Sequence, residues 1–186
     1  MSGWKRAVKE GMVAGSVASL ASTAALAMAG HCENGHPAAP VNAISHWFWD
    51  PEALGKNGPS IRHTLTGFLV HHGASVFWAT LHARAWGDRP QAVRPVPALA
   101  GAAAAAAVAC FVDLRMTPRR LTPGFEHRIS SGSMAGVYAC FALGLALGSM
   151  AIRRSEATRT ANERAEAPPA SHQKGTAALP ATADST

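Results

Sequence analysis

The chain has 186 residues, 48% of them hydrophobic and only 15% charged, with a formal net charge of +6. A soluble domain carries roughly 25% charged residues, so this balance argues against a water-soluble globule. The positive charge gathers at the ends of apolar segments, not on the continuous basic, aromatic-studded face of a nucleic-acid binder. Three cysteines, two of them inside apolar segments, rule out a disulfide framework.

Residues 1–10 carry Lys5, Arg6 and Lys9 and lead into a first apolar segment over 11–30, close to the ~20 residues that cross ~30 Å of hydrocarbon as a helix. A basic start and Ala27-Met28-Ala29 also resemble a cleaved secretory signal. The length of the run and its Ser16, Ser19, Ser22 and Thr23 favour an uncleaved span. Cys32 follows His31 and not the small residue that a lipoprotein site needs. The loop that follows holds Asn42-Ala43-Ile44-Ser45-His46-Trp47-Phe48-Trp49, apolar enough to lie at a membrane interface.

A second segment covers 64–85, with Ser60 as its cap after Gly58-Pro59. A third covers 96–114. It is built around the alanine run 102–107, strongly helical but only mildly apolar, which taken alone also suits a buried soluble helix, with Pro95 and Pro97 suited to its first turn. Thr117-Pro118 and Thr122-Pro123-Gly124 break the helix over 116–124. A fourth segment covers 131–152, capped by Ser130 or Ser131. Beyond it the chain turns to Ala, Glu, Thr, Pro and Ser, so residues 153–186 are expected to be a disordered tail.

Orientation follows from the basic residues. Lys5, Arg6 and Lys9, then Arg84, Arg89 and Arg94, then Arg153, Arg154 and Arg159 fall on one side of a four-span topology. That places both termini in the cytoplasm. Arg115, Arg119, Arg120 and Arg128 in the third loop pull the other way.

The fourth segment repeats a small residue every four positions: Gly132, Gly136, Cys140, Gly144 and Gly148. The first has Gly11, Gly15, Ser19, Thr23 and Ala27, and the third Gly101, Ala105 and Ala109. Such stripes let helix backbones come close, either inside one bundle or in a homo-oligomer.

The chain has nine histidines. His71 and His72 lie deep in the second segment, and His63 and His82 near its ends. Ionisable groups at membrane depth usually face the protein interior. Three uses are open to them: hydrogen bonding within the bundle, proton or small-solute handling, and haem or metal ligation. Bis-His haem ligation wants a second histidine on a facing helix, and the other segments have none. No cofactor is therefore expected. His46, Asp113, Glu126 and His127 are further candidate polar residues, forming with Arg62, His63 and Arg128 a cap over the outer end of the bundle. His31, Cys32 and His36 lack a recognised metal-site spacing. No phosphate loop, zinc-protease motif or nucleophile elbow is present, so catalysis is disfavoured.

Three pieces of the chain carry a resemblance: Asn42-Ala43-x-Ser45-His46-Trp47-x-Trp49; Arg62-His63-Thr64 through His71-His72 to Phe77-Trp78-Ala79; and Leu121-Thr122-Pro123-Gly124-Phe125-Glu126. Over residues 11–152 the chain resembles small multi-span bacterial inner-membrane proteins without assigned function. The resemblance implies an inner-membrane location and a four-helix layout, and no activity. The sequence thus predicts an all-α, four-helix transmembrane bundle with an interfacial loop segment and a disordered C-terminal tail, structural or partner-binding in role.

Overall fold

The computed structural model describes residues 3–166, and among them there is no strand. The helices are α1 (Gly3–Asn34), the short α2 (Ala39–Ile44) and α3 (His46–Trp49), α4 (Thr66–Trp86), α5 (Pro95–Phe111) and α6 (Ser131–Glu166). One π-helical turn, Ile61–Leu65, leads into α4, and another, Val112–Met116, extends α5. Ser60 accepts the His63 N–H at 3.0 Å and Ser130 Oγ accepts the Ser133 N–H at 3.2 Å, so both serines cap the helices that follow them. Pro95 opens α5.

Among the described residues, three helical stretches are long and apolar enough to cross a membrane: α1, Pro95–Met116 and α6. The fourth expected span, α4, is not among them. Its 21 residues reach about 32 Å, but His71, His72, Ser75 and His82 lower its hydropathy.

Two expected boundaries change. α1 begins well before residue 11, and α6 runs on to Glu166. Residues 153–166, expected to be disordered, are helical. A helix already held by packing needs no new nucleus to continue, and Arg159 pairs with Glu163 one turn on at 3.3 Å. The rest of the expected disordered tail, 167–186, lies outside the described residues.

The long helices pack in the spatial order α4, α1, α6, α5, with α4 and α5 touching only sparsely. Small residues set this order. Gly15 lies against Val76 of α4, where a Cβ would come within 2.6 Å of the Val76 Cα. On the neighbouring face of α1, Ala18 and Ala14 meet Gly144 and Gly148 of α6, where a Cβ would lie 2.7 Å from each alanine Cα. Gly11 sits against Thr80, and Ser19 is fully buried. Gly132 and Gly136, expected in the same packing stripe, are instead exposed; a Cβ on Gly136 meets nothing. Cys140 is half-buried.

The main core is correspondingly rich in alanine: Ala14, Ala18, Ala79, Ala102, Ala106 and Ala146 surround Phe141 and Leu145. The large apolar side chains point outward. Leu20, Met28, Leu69, Phe77, Phe111 and Leu147 are each more than half exposed, the reverse of a soluble domain's arrangement.

Candidate functional site

The first and third motif segments and the start of the second converge at one end of the bundle, away from the N-terminus, while the rest of the second runs along α4. α2 lies across this end, where Gly67 of α4 meets the Val41 carbonyl and Gly30 of α1 meets Pro40. Asn42, fully buried, is the hub. Its amide donates to the carbonyls of Lys56 (3.1 Å) and Gly58 (2.8 Å), and its oxygen accepts from Thr64 Oγ1 (2.6 Å). Trp47 Nε1 donates to the Thr122 carbonyl at 2.9 Å, joining the first motif to the third. Gly124 of that third motif has φ +87° and presses on the Ala43 carbonyl and His46, a backbone conformation and a closeness that favour glycine.

Ser45, His63 and Glu52 stand in a row. Ser45 Oγ lies 3.1 Å from His63 Nδ1, and His63 Nε2 lies 3.6 Å from Glu52. The composition is that of a hydrolase triad, but the geometry is not. Ser45 is fully buried and donates its proton to the Asn42 carbonyl at 2.8 Å, so no substrate reaches it. The row ties α3 to the start of α4. A hydrogen bond from Lys56 lowers the Glu52 pKa, partly opposed by desolvation and reinforced by the charge of Arg62. Arg62 also stacks over Trp49, 4.9 Å from its centroid.

Of the other residues expected in the cap, Arg128 donates to the Leu54 carbonyl (2.6 Å) and to Asn57. Glu126 lies 3.8 Å from His127, which is largely exposed. His46 is buried, its Nδ1 donating to the Ala43 carbonyl at 2.9 Å while its Nε2 has no partner. Asp113 does not join the cap. It accepts a hydrogen bond from Tyr138 Oη at 3.0 Å, within the bundle.

Below the cap, the loose α4–α5 seam leaves an open cavity of about 610 Å3. Leu69, Phe77, Trp78, Val112 and Phe141 give it an apolar wall, and Trp47, Phe48 and Phe125 roof it. Two polar pairs interrupt that wall: His71 with Ser22 of α1 (2.8 Å), and Tyr138 with Asp113. His71 is the one histidine in this lining. His72 points elsewhere and stacks on Phe68 at 5.7 Å. The structure therefore separates the adjacent histidines, as neighbours about 100° apart on a helix must be. Ser22 Oγ engages Nε2 of His71. Among the described residues no three His, Cys, Asp or Glu side chains come together as a metal site would need.

The opposite end holds a cluster that the sequence did not suggest. Glu10 of α1 and Arg153 of α6 form a buried ion pair, and Arg153 also donates to the Ala92 carbonyl in the turn between α4 and α5 (3.1 Å). His82, also buried, lies within electrostatic reach of Arg153. Arg6 pairs with Asp88, and Lys9 with Glu156 at 2.8 Å. The partners of the buried pair are 143 residues apart, too far for any local pattern in the sequence to join them.

No protein-family model, curated protein or solved structure matches the chain.

Proposed function

We propose that the chain is a four-span integral protein of a bacterial inner membrane, and that it binds a hydrophobic molecule taken laterally from the bilayer. The outward placement of its large apolar side chains supports the membrane reading, because lipid, unlike water, solvates them at no cost. In that setting α4 is the fourth span. Its polar residues face inward, with His71 on Ser22 and with Ser75 and His82 buried, as intramembrane polar groups do. Recovery of the full chain as a detergent-free soluble monomer overturns this reading.

One observation carries the binding function: the 610 Å3 cavity is lined by residues of both α4 and α5, and its Leu69 and Phe77 are more than half exposed, on the belt that lipid would cover. Its size and mostly apolar wall with a few convergent polar groups are those of a ligand site. Illumination of the purified protein with a diazirine-bearing fatty acid is expected to label α4 around Ala74–Phe77 and α5 around Val112. Gly73 lines the cavity, and a Cβ there meets nothing within 4 Å. Gly73→Trp should therefore fill the cavity and abolish the labelling without loss of thermal stability. Labelling spread evenly over all outward faces, unchanged by Gly73→Trp, defeats the proposal.

The basic end belongs in the cytoplasm on this reading. The exposed Cys32 at the far end of α1 is then expected to react with a membrane-impermeant maleimide added outside spheroplasts. Cys110 and Cys140, half-buried within their helices, should stay unmodified. Protection of Cys32 until the cells are lysed reverses the orientation.

A further inference from the structure

Beside the apolar cavity, on the cap side, lies a second one of about 450 Å3, bordered by His46, Phe48, Asp50, Arg119, Arg120 and His127. Phe48 belongs to both. The 3₁₀ turn that carries the two arginines, Arg119–Leu121, borders the apolar cavity through Leu121. The two spaces thus share a wall, one apolar and at the depth of the helices, the other polar and at their end.

The polar cavity has positive charge that nothing uses. Neither the Arg119 nor the Arg120 side chain has an ion-pair or hydrogen-bond partner among the described residues. His127 leans only on Glu126, and Asp50 is the single carboxylate at the border. The buried His46 is the sharper sign. It is 4% exposed, its Nδ1 is committed to the Ala43 carbonyl, and its Nε2 has no partner. A buried polar atom without a partner is uncommon and calls for an explanation.

We infer that the two cavities form one amphipathic site for an anionic phosphate-bearing lipid. The acyl chain lies between α4 and α5, and the phosphate headgroup sits among Arg119, Arg120 and His46. This rests on the proposed lateral binding function and names its ligand class. Arginine suits the headgroup because its planar fork meets phosphate oxygens two at a time. The inference also accounts for a conflict in the sequence. Arg119 and Arg120 count against placing the third loop outside the cytoplasm, and as headgroup ligands they are there for binding and not for orientation.

The test uses the delipidated full-length protein in dodecyl maltoside. The titrants are phosphatidylglycerol and phosphatidylcholine with the same dibrominated acyl chains. Bromine quenches nearby indoles, and Trp47 and Trp78 line the apolar cavity. Phosphatidylglycerol should half-saturate the quenching at about ten-fold lower concentration, the scale of one charge-assisted contact. Arg119→Gln with Arg120→Gln, both at exposed positions, should erase that preference, bringing the half-saturating concentrations of the two lipids together. His46→Gln should weaken it part-way. Equal quenching by the two lipids overturns the headgroup assignment while the lateral cavity stands. Absence of quenching by either lipid overturns the cavity itself. Loss of the preference in millimolar inorganic phosphate marks a free-anion site and also overturns the lipid assignment.

Discussion

Gly144→Leu is expected to cost the bundle about 3 kcal/mol or more, the upper range for over-packing a well-filled interior, and to lower the Tm in detergent by roughly 6–12 °C. The first carbon added at this position would lie 2.7 Å from the Ala18 Cα and 2.9 Å from the Val17 carbonyl oxygen. Both are backbone atoms of α1, so no rotamer change relieves the overlap. The two helices must separate, and separation forfeits the contacts of the alanine-rich core behind them, where Ala14, Ala18 and Ala142 pack with Leu145. Gly136→Leu, two turns earlier on the same helix, is the matched control. A Cβ there meets nothing within 4 Å, and the change should stay within about 0.5 kcal/mol. Equal effects of the two substitutions would refute the α1–α6 contact as described. A stable Gly136→Leu protein that has lost a dimer would instead show that the open half of the stripe serves a second copy.

This pair also marks how far the sequence could be read. A small residue every fourth position announces close helix approach, because residues four apart share a face. It does not say which helix approaches. Gly11 and Gly15 of α1 turned out to face α4, Gly144 and Gly148 of α6 face alanines of α1, Gly132 has only the nearby Ser130 hydroxyl beside it and Gly136 nothing within 4 Å. Partner choice depends on how all the helices fit at once, and no local pattern encodes that. The positions of the helices followed from hydropathy, while their ends did not. Hydropathy registers where lipid-like residues stop. Helical hydrogen bonding continues through Lys5, Arg6 and Lys9 at one end and Arg154 to Glu166 at the other.

The cap was legible in composition and not in wiring. Its motif residues do meet, but Asn42, which the sequence offered only as one letter of a motif, ties the first loop to α4, and Asp113 left the expected cluster for Tyr138. The histidines divide by environment. His63 is locked between Ser45 and Glu52, and His71 is paired with Ser22 on the cavity wall. His46 alone combines burial and an unused nitrogen with a place in the border of a cavity. Sequence cannot make that distinction, because satisfaction of a polar atom is a property of its neighbours. Arg119 and Arg120 show the same limit. In the chain they are two more charges in a loop, and only their place at the edge of a cavity gives them a use.

Glu10→Ala is expected to be the most damaging polar substitution in the molecule, at about 3–5 kcal/mol, because it strands a buried guanidinium. Arg153 is 9% exposed and Glu10 4%. With the carboxylate gone, Arg153 keeps one hydrogen bond, to the Ala92 carbonyl, and its Nε already has none. The pairs around it behave differently. Arg6 with Asp88 and Lys9 with Glu156 are substantially exposed, so each contributes about 0–1 kcal/mol and fades with salt. The contrast gives the measurement. Thermal unfolding in detergent at low and high salt should show a large, salt-insensitive loss for Glu10→Ala and a small, salt-dependent one for Lys9→Ala. The double variant Glu10→Leu with Arg153→Leu should recover most of what Glu10→Ala loses, since removing both buried charges also removes their desolvation cost. A double variant as unstable as the single one would mean that packing, and not the stranded charge, sets the penalty. It would also imply that α1, the α4–α5 turn and α6 are held together at this end by something other than the Glu10–Arg153 pair.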